Sequence, residues 1–201
     1  MKYLLWSLLL LTVPAVTRAQ FGGSVGVYAH PSIKDICFAS DVPGPRTLYV
    51  CHLYSIGSAG AKFRIEHSNG FTGTLLSTTS PFANVSGDPV NGFTVMYDNT
   101  CRFGTFQILT LNFMFFGTSP ACSWVRTAPV SGSVDGKIDV YDCVFVRVPG
   151  EWEGTHITPG SGADCPNDID YEEHTHHCRP YYEPTVGVDQ STWGAVKALY
   201  R

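Results

Sequence analysis

From residue 25 to about residue 157 the chain is a succession of short apolar or alternating runs, each cut off by turn residues, and none keeps a helical period for about ten residues. That pattern predicts an all-β domain. The clearest run is 61–67, where Phe63 and Ile65 alternate with Lys62, Arg64 and Glu66. A one-residue slip would bury all three charges, so the register is pinned. The run 106–116 (FQILTLNFMFF) is apolar on both faces, as a central strand would be. Further strands are expected over 24–29, 47–55, 93–97, 123–127, 137–147 and 151–157. Turn signals at Pro43-Gly44-Pro45, Ser68-Asn69-Gly70, Gly87-Asp88-Pro89, Asn91-Gly92 and Val134-Asp135-Gly136 separate them. Seven to nine strands at this spacing fit a two-sheet, immunoglobulin-like sandwich.

What precedes this domain decides its compartment. Lys2 is followed by an apolar run over 3–16 and by Thr17-Arg18-Ala19, the layout of a signal peptide cleaved near Ala19. The expected organisation is therefore a signal peptide (1–19), a β-sandwich (20–157), an appendage and linker rich in Cys, His and acidic residues (158–190) and a helical tail (191–201). The protein is expected to be secreted or extracytoplasmic. No later stretch approaches ~20 apolar residues, so no integral membrane span is expected. Loss of Lys2 and Arg18 moves the formal charge from −4 to −6. A surface of that sign argues against nucleic acid, a polybasic membrane contact or an acidic substrate.

In an exported chain, seven cysteines read as disulfides before metal ligands. Spacing leaves about a hundred pairings open. Cys101 and Cys122 flank the long apolar run, Cys165 and Cys178 bracket a turn-rich loop, and Cys51 falls at a core position. The expected pairs are Cys101 with Cys122, Cys165 with Cys178 and Cys37 with Cys143, with Cys51 as the odd thiol.

The segments GVYAHPSIKDIC (26–37), TLYVCHLYSIGSAGAKFRI (47–65), NTCRFGTFQILTLNFMFFGTSPAC (99–122) and GKIDVYDC (136–143) resemble uncharacterised bacterial secreted proteins that end in a TWGxxKxLYR-like tail, here 192–201. The resemblance implies a secreted sandwich module with no assigned catalysis. Cys51 stands where that family has an aliphatic residue, which again marks it as the odd cysteine, and EEHTHHC (172–178) departs from the pattern. The order of strands is also similar to cohesin-type sandwiches, a fold-level analogy that licenses no function.

The sharpest chemical candidate lies between Cys165 and Cys178, where His174, His176 and His177 stand beside Asp168, Asp170, Glu172 and Glu173. Imidazoles and carboxylates at this spacing suit Zn²⁺, Cu²⁺ or Ni²⁺, and a solvated disulfide loop gives the same composition. No G-x-S-x-G or H-E-x-x-H occurs. Cys51 and His52 are neighbours on a strand, so their side chains point to opposite faces and form no thiolate–imidazolium pair. Glu151 and Glu153 share one face about 7 Å apart, a spacing that also suits an inverting glycosidase. Tyr171, Tyr181 and Tyr182 are candidates for stacking on sugars. In the tail, Trp193, Val196, Leu199 and Tyr200 form one apolar face of a short helix beside Lys197 and Arg201. The expected function is a non-enzymatic structural or adhesive module whose tail meets sorting machinery or a cell-surface partner. An extracytoplasmic metal-binding protein and a carbohydrate-binding or carbohydrate-active protein are the alternatives.

Overall fold

The computed structural model describes residues 22–31, 38–98 and 100–158. Ten strands lie among them: β1 (Ser24–Tyr28), β2 (Phe38–Ser40), β3 (Gly44–His67), β4 (Thr74–Thr79), β5 (Asn84–Asp88), β6 (Gly92–Met96), β7 (Arg102–Phe115), β8 (Ser123–Ala128), β9 (Ile138–Asp142) and β10 (Arg147–Thr158). The fold is an all-β, two-sheet sandwich. One turn of 3-10 helix, Val134–Gly136, precedes β9.

Strand β3 belongs to both sheets. Its first part runs antiparallel to β7, from Gly44 opposite Phe115 to Ser58 opposite Arg102, and to β1 on its other side. Its last part pairs with β6, β8 and β9. The strands expected over 47–55 and 61–67 are thus one. Gly57, Ser58, Ala59 and Gly60 carry little side chain, and the strand bends through register shifts at Val50/Cys51, His52/Ser55 and Ile56/Ser58 without ending. The expected strand over 137–147 is instead a hairpin, β9 and β10 joined by a turn in which Phe145 adopts φ 61°.

Between the sheets lie Val25, Leu48, Val50, Phe63, Val95, Leu111, Phe113, Val125, Val140 and Ile157, all buried. Each such side chain contributes roughly 1.5–3 kcal/mol by leaving water. The alternation read in 61–67 holds: Phe63 is in the core and Ile65 packs against it, while Glu66 accepts from Arg64 and Arg126 on the outer face. There the Arg126 guanidinium lies 4.3 Å from the ring centroids of both Trp124 and Trp152. This cation–π sandwich ties β8 to β10.

The disulfide pattern differs from expectation. Cys101 is bridged to Cys143, with Cα atoms 5.1 Å apart. Cys101–Cys122 and Cys37–Cys143 are therefore both overturned. Cys101 and Cys122 sit beyond opposite ends of β7, whose 14 residues extend roughly 45 Å at the rise of a strand. By contrast Ser58 of β3 stands opposite both Arg102 and Asp142, so the sheet brings the neighbouring cysteines together. Cys122 is itself disulfide-bonded. Cys51 keeps its thiol, buried beside Tyr28 and Leu53. The Cys101–Cys143 bridge fits an oxidising, extracytoplasmic compartment. Among the described residues no helix is long and apolar enough to cross a membrane.

Candidate functional site

At one end of the sandwich the chain breaks the rule that large apolar side chains are covered. Tyr54 and Ile56 stand outward on either side of buried Ser55 in β3, where the strand bulges and Tyr54 takes φ 53°. Ile56 is directly opposite Phe103 of β7. Beside them the turn between β9 and β10 projects Val144, Phe145 and Val146. These six side chains are 50–73% exposed. Large apolar groups gathered in this way mark a surface that meets another molecule.

Local chemistry holds the end in place. Asp142, almost wholly buried, turns its carboxylate back into its own loop, where Oδ1 accepts the amides of Val144 at 2.9 Å and Val146 at 2.8 Å. The Phe145 amide donates to the Asp142 carbonyl, closing the turn. Gly57, with φ +131°, sits under the patch, and a Cβ there would lie 2.9 Å from Cys143 Sγ and 3.0 Å from the Phe103 ring. Only glycine lets the bridge and the ring approach β3 so closely. The exposed residues thus ride on a cross-linked, bulged part of the sheet.

Inside, two polar pairs occupy opposite sides of β3. His52 is buried, with Nε2 2.7 Å from the Gly22 carbonyl and Nδ1 2.9 Å from the Tyr97 hydroxyl. A carbonyl only accepts, so Nε2 carries the proton and Nδ1 takes the Tyr97 O–H. Burial lowers the imidazole from 6.5 to about 4 against the opposing pull of the Gly22 hydrogen bond, and burial pushes the Tyr97 hydroxyl upward. Both are neutral near pH 7 and act as a structural tie. On the other side, the Tyr28 hydroxyl donates to Glu153 Oε2 in a buried contact. Gly26 makes room for it, since a Cβ there would lie 2.6 Å from the Tyr28 oxygen.

The expected site residues divide sharply. Cys51 and His52 do lie on opposite sides of β3, in separate clusters. Glu151 pairs with Lys137 while Glu153 is held by Tyr28, so both carboxylates have partners. His174, His176 and His177, the bridge expected between Cys165 and Cys178, Cys37, and the tail residues Trp193, Val196, Lys197, Leu199, Tyr200 and Arg201 lie outside the described residues. Among the described residues no group of three or more His, Cys, Asp or Glu side chains is arranged to hold a metal ion. Sequence reasoning missed the apolar end. The expected strand over 137–147 takes in Val144–Val146, although Asp142, two residues before Val144, is a turn signal that separates them.

No protein-family model matches the chain, and no curated protein does either. Among solved structures it is similar to cohesin modules. One, from a family 33 glycoside hydrolase of Clostridium perfringens, shares 9% identity at a TM-score of 0.48, over 70% of this chain and 99% of that one. A type I cohesin from a cohesin–dockerin complex of Clostridium thermocellum shares 11% at 0.48, over 70% and 96%. A non-cellulosomal cohesin of Archaeoglobus fulgidus shares 10% at 0.43, over 68% and 92%. At such identity the residues those modules use do not transfer to positions of this chain.

Proposed function

We propose that the protein is an extracytoplasmic, non-enzymatic adhesive or structural β-sandwich module that binds a protein partner through its apolar end. The observation that carries this reading is the exposure of Ile56, Phe103, Val144, Phe145 and Val146 on one disulfide-braced surface. Aromatic and branched apolar groups on a rigid support lose little conformational freedom on association, which favours binding. The tail over 191–201 supplies, in this proposal, a second attachment to sorting machinery or a cell-surface partner. Phe145 replaced by a photo-crosslinking phenylalanine should yield a covalent protein adduct when the exported chain is irradiated on its cells. The same replacement at Val90, exposed in the turn after β5, should yield none. Equal labelling from both positions contradicts the proposal.

A further inference from the structure

We infer that Asn69 is a site of spontaneous covalent modification, where the chain converts its own Asn69-Gly70 turn to aspartyl and isoaspartyl forms. The inference goes beyond the binding function proposed above. The reaction needs a carboxamide that can reach the amide nitrogen of the next residue, and glycine, having no side chain, leaves that nitrogen least hindered. Two asparagines of the chain precede glycine, Asn69 and Asn91. The fold treats them oppositely.

Asn69 and Gly70 are the exposed middle of the turn that follows β3. The amide that closes this turn is that of Phe71, 3.2 Å from the Ser68 carbonyl, so the Gly70 nitrogen stays outside that bond. Among the described residues none holds the Asn69 carboxamide. Asn91, in the turn between β5 and β6, is clamped instead. Its amide donates to Asp88 Oδ1 at 2.8 Å and its Nδ2 donates to Asp88 Oδ2 at 2.9 Å. Gly92 passes directly into β6, opposite Asp88. These bonds, the Asn91 amide first, hold the Asp88 carboxyl below the usual carboxylate range, so the clamp is charged. Having to open a hydrogen bond to a charged group before reacting slows Asn91 by on the order of ten-fold or more.

At Asn69 the step is a ring closure. The Gly70 nitrogen attacks Asn69 Cγ; the N–Cγ bond forms, the Cγ–Nδ2 bond breaks, and ammonia leaves with the amide proton. Water then opens the succinimide at either carbonyl, giving aspartate or, with one more methylene in the backbone, isoaspartate. No oxidant or reductant takes part. The product sets a carboxylate between Ser68 and Phe71. Ser68 exchanges two 3.0 Å bonds with the Trp124 backbone, and Phe71 packs on Phe113 and Phe115, so the added methylene loosens the junction of β3 with β8. Ile56 and Phe103 pair at the middle of β3, away from this turn, and are spared.

Peptide mapping by mass spectrometry tests this on the full exported chain, held folded in mildly alkaline buffer and sampled over weeks. The Asn69 peptide gains close to one mass unit on the order of ten-fold faster than the Asn91 peptide, and in urea the two rates converge. Asp88→Ala brings Asn91 up to the rate of Asn69 and leaves Asn69 as it was. Equal rates at the two positions in the folded chain, or an Asn69 that converts only in urea, overturns the inference. The Phe145 adduct tests the binding surface separately and is unaffected by either result.

Discussion

Lowering the pH from 7 to 4 should withdraw a defined share of stability through one residue, His52. Its folded pKa is depressed from 6.5 to about 4 by burial. Between those values the unfolded chain takes up a proton that the folded chain refuses, so stability is intact above pH 6.5 and declines as the pH falls towards 4. Each unit is worth about 1.4 kcal/mol, and the interval amounts to about 3 kcal/mol. The physical origin is the burial of the ring away from water, which the hydrogen bond to the Gly22 carbonyl opposes only in part. Urea unfolding followed by tryptophan fluorescence at pH 7, 6, 5 and 4 measures it in the wild type and in His52→Gln. The variant is less stable at pH 7, and the difference should shrink by about 3 kcal/mol by pH 4 because glutamine does not titrate. Other titrating groups act alike in both proteins and cancel in the difference. Parallel stability curves over this range would refute the reasoning.

The Cys101–Cys143 bridge spans 42 residues, and Cys101→Ser with Cys143→Ser should cost about 4 kcal/mol in urea unfolding. Non-reducing peptide mapping should recover those two cysteines in one linked pair. Arg126→Ala removes the cation held between Trp124 and Trp152 and two bonds to Glu66; a loss of about 1–2 kcal/mol is expected, with a shifted tryptophan emission maximum as the second readout. Any Zn²⁺, Cu²⁺ or Ni²⁺ affinity should reside in His174, His176 and His177 and weaken towards pH 5. Isothermal titration with the triple alanine variant checks this, and equal binding by that variant removes the proposal.

The sequence made the fold class legible where side chains alternate under strong constraint. Phe63 and Ile65 against Lys62, Arg64 and Glu66 could be read directly, because any other register buries charge. It hid the continuity of β3, since Gly57, Ser58, Ala59 and Gly60 look like a break when neighbours are unseen. The neighbours β7 and β9 are what keep that stretch extended. Disulfide partners were illegible for the same reason: Cys101 and Cys143 meet only because β3 stands between their strands. The apolar end was illegible because local apolarity ordinarily signals core. Exposure of Phe103 and Phe145 follows from bulges and a turn that only the assembled sheet defines.

Retention of the exported chain on the cell surface tests the central claim most directly, with exposed apolar positions elsewhere on the molecule as the control. In the chain ending at residue 190, which removes the tail's separate attachment, Phe103→Glu with Phe145→Glu should release the chain into the medium at unchanged melting temperature. Val85→Glu with Val90→Glu, on β5 and its turn, should leave it bound. Equal retention of the two double variants would contradict the assignment of the apolar end as the binding surface.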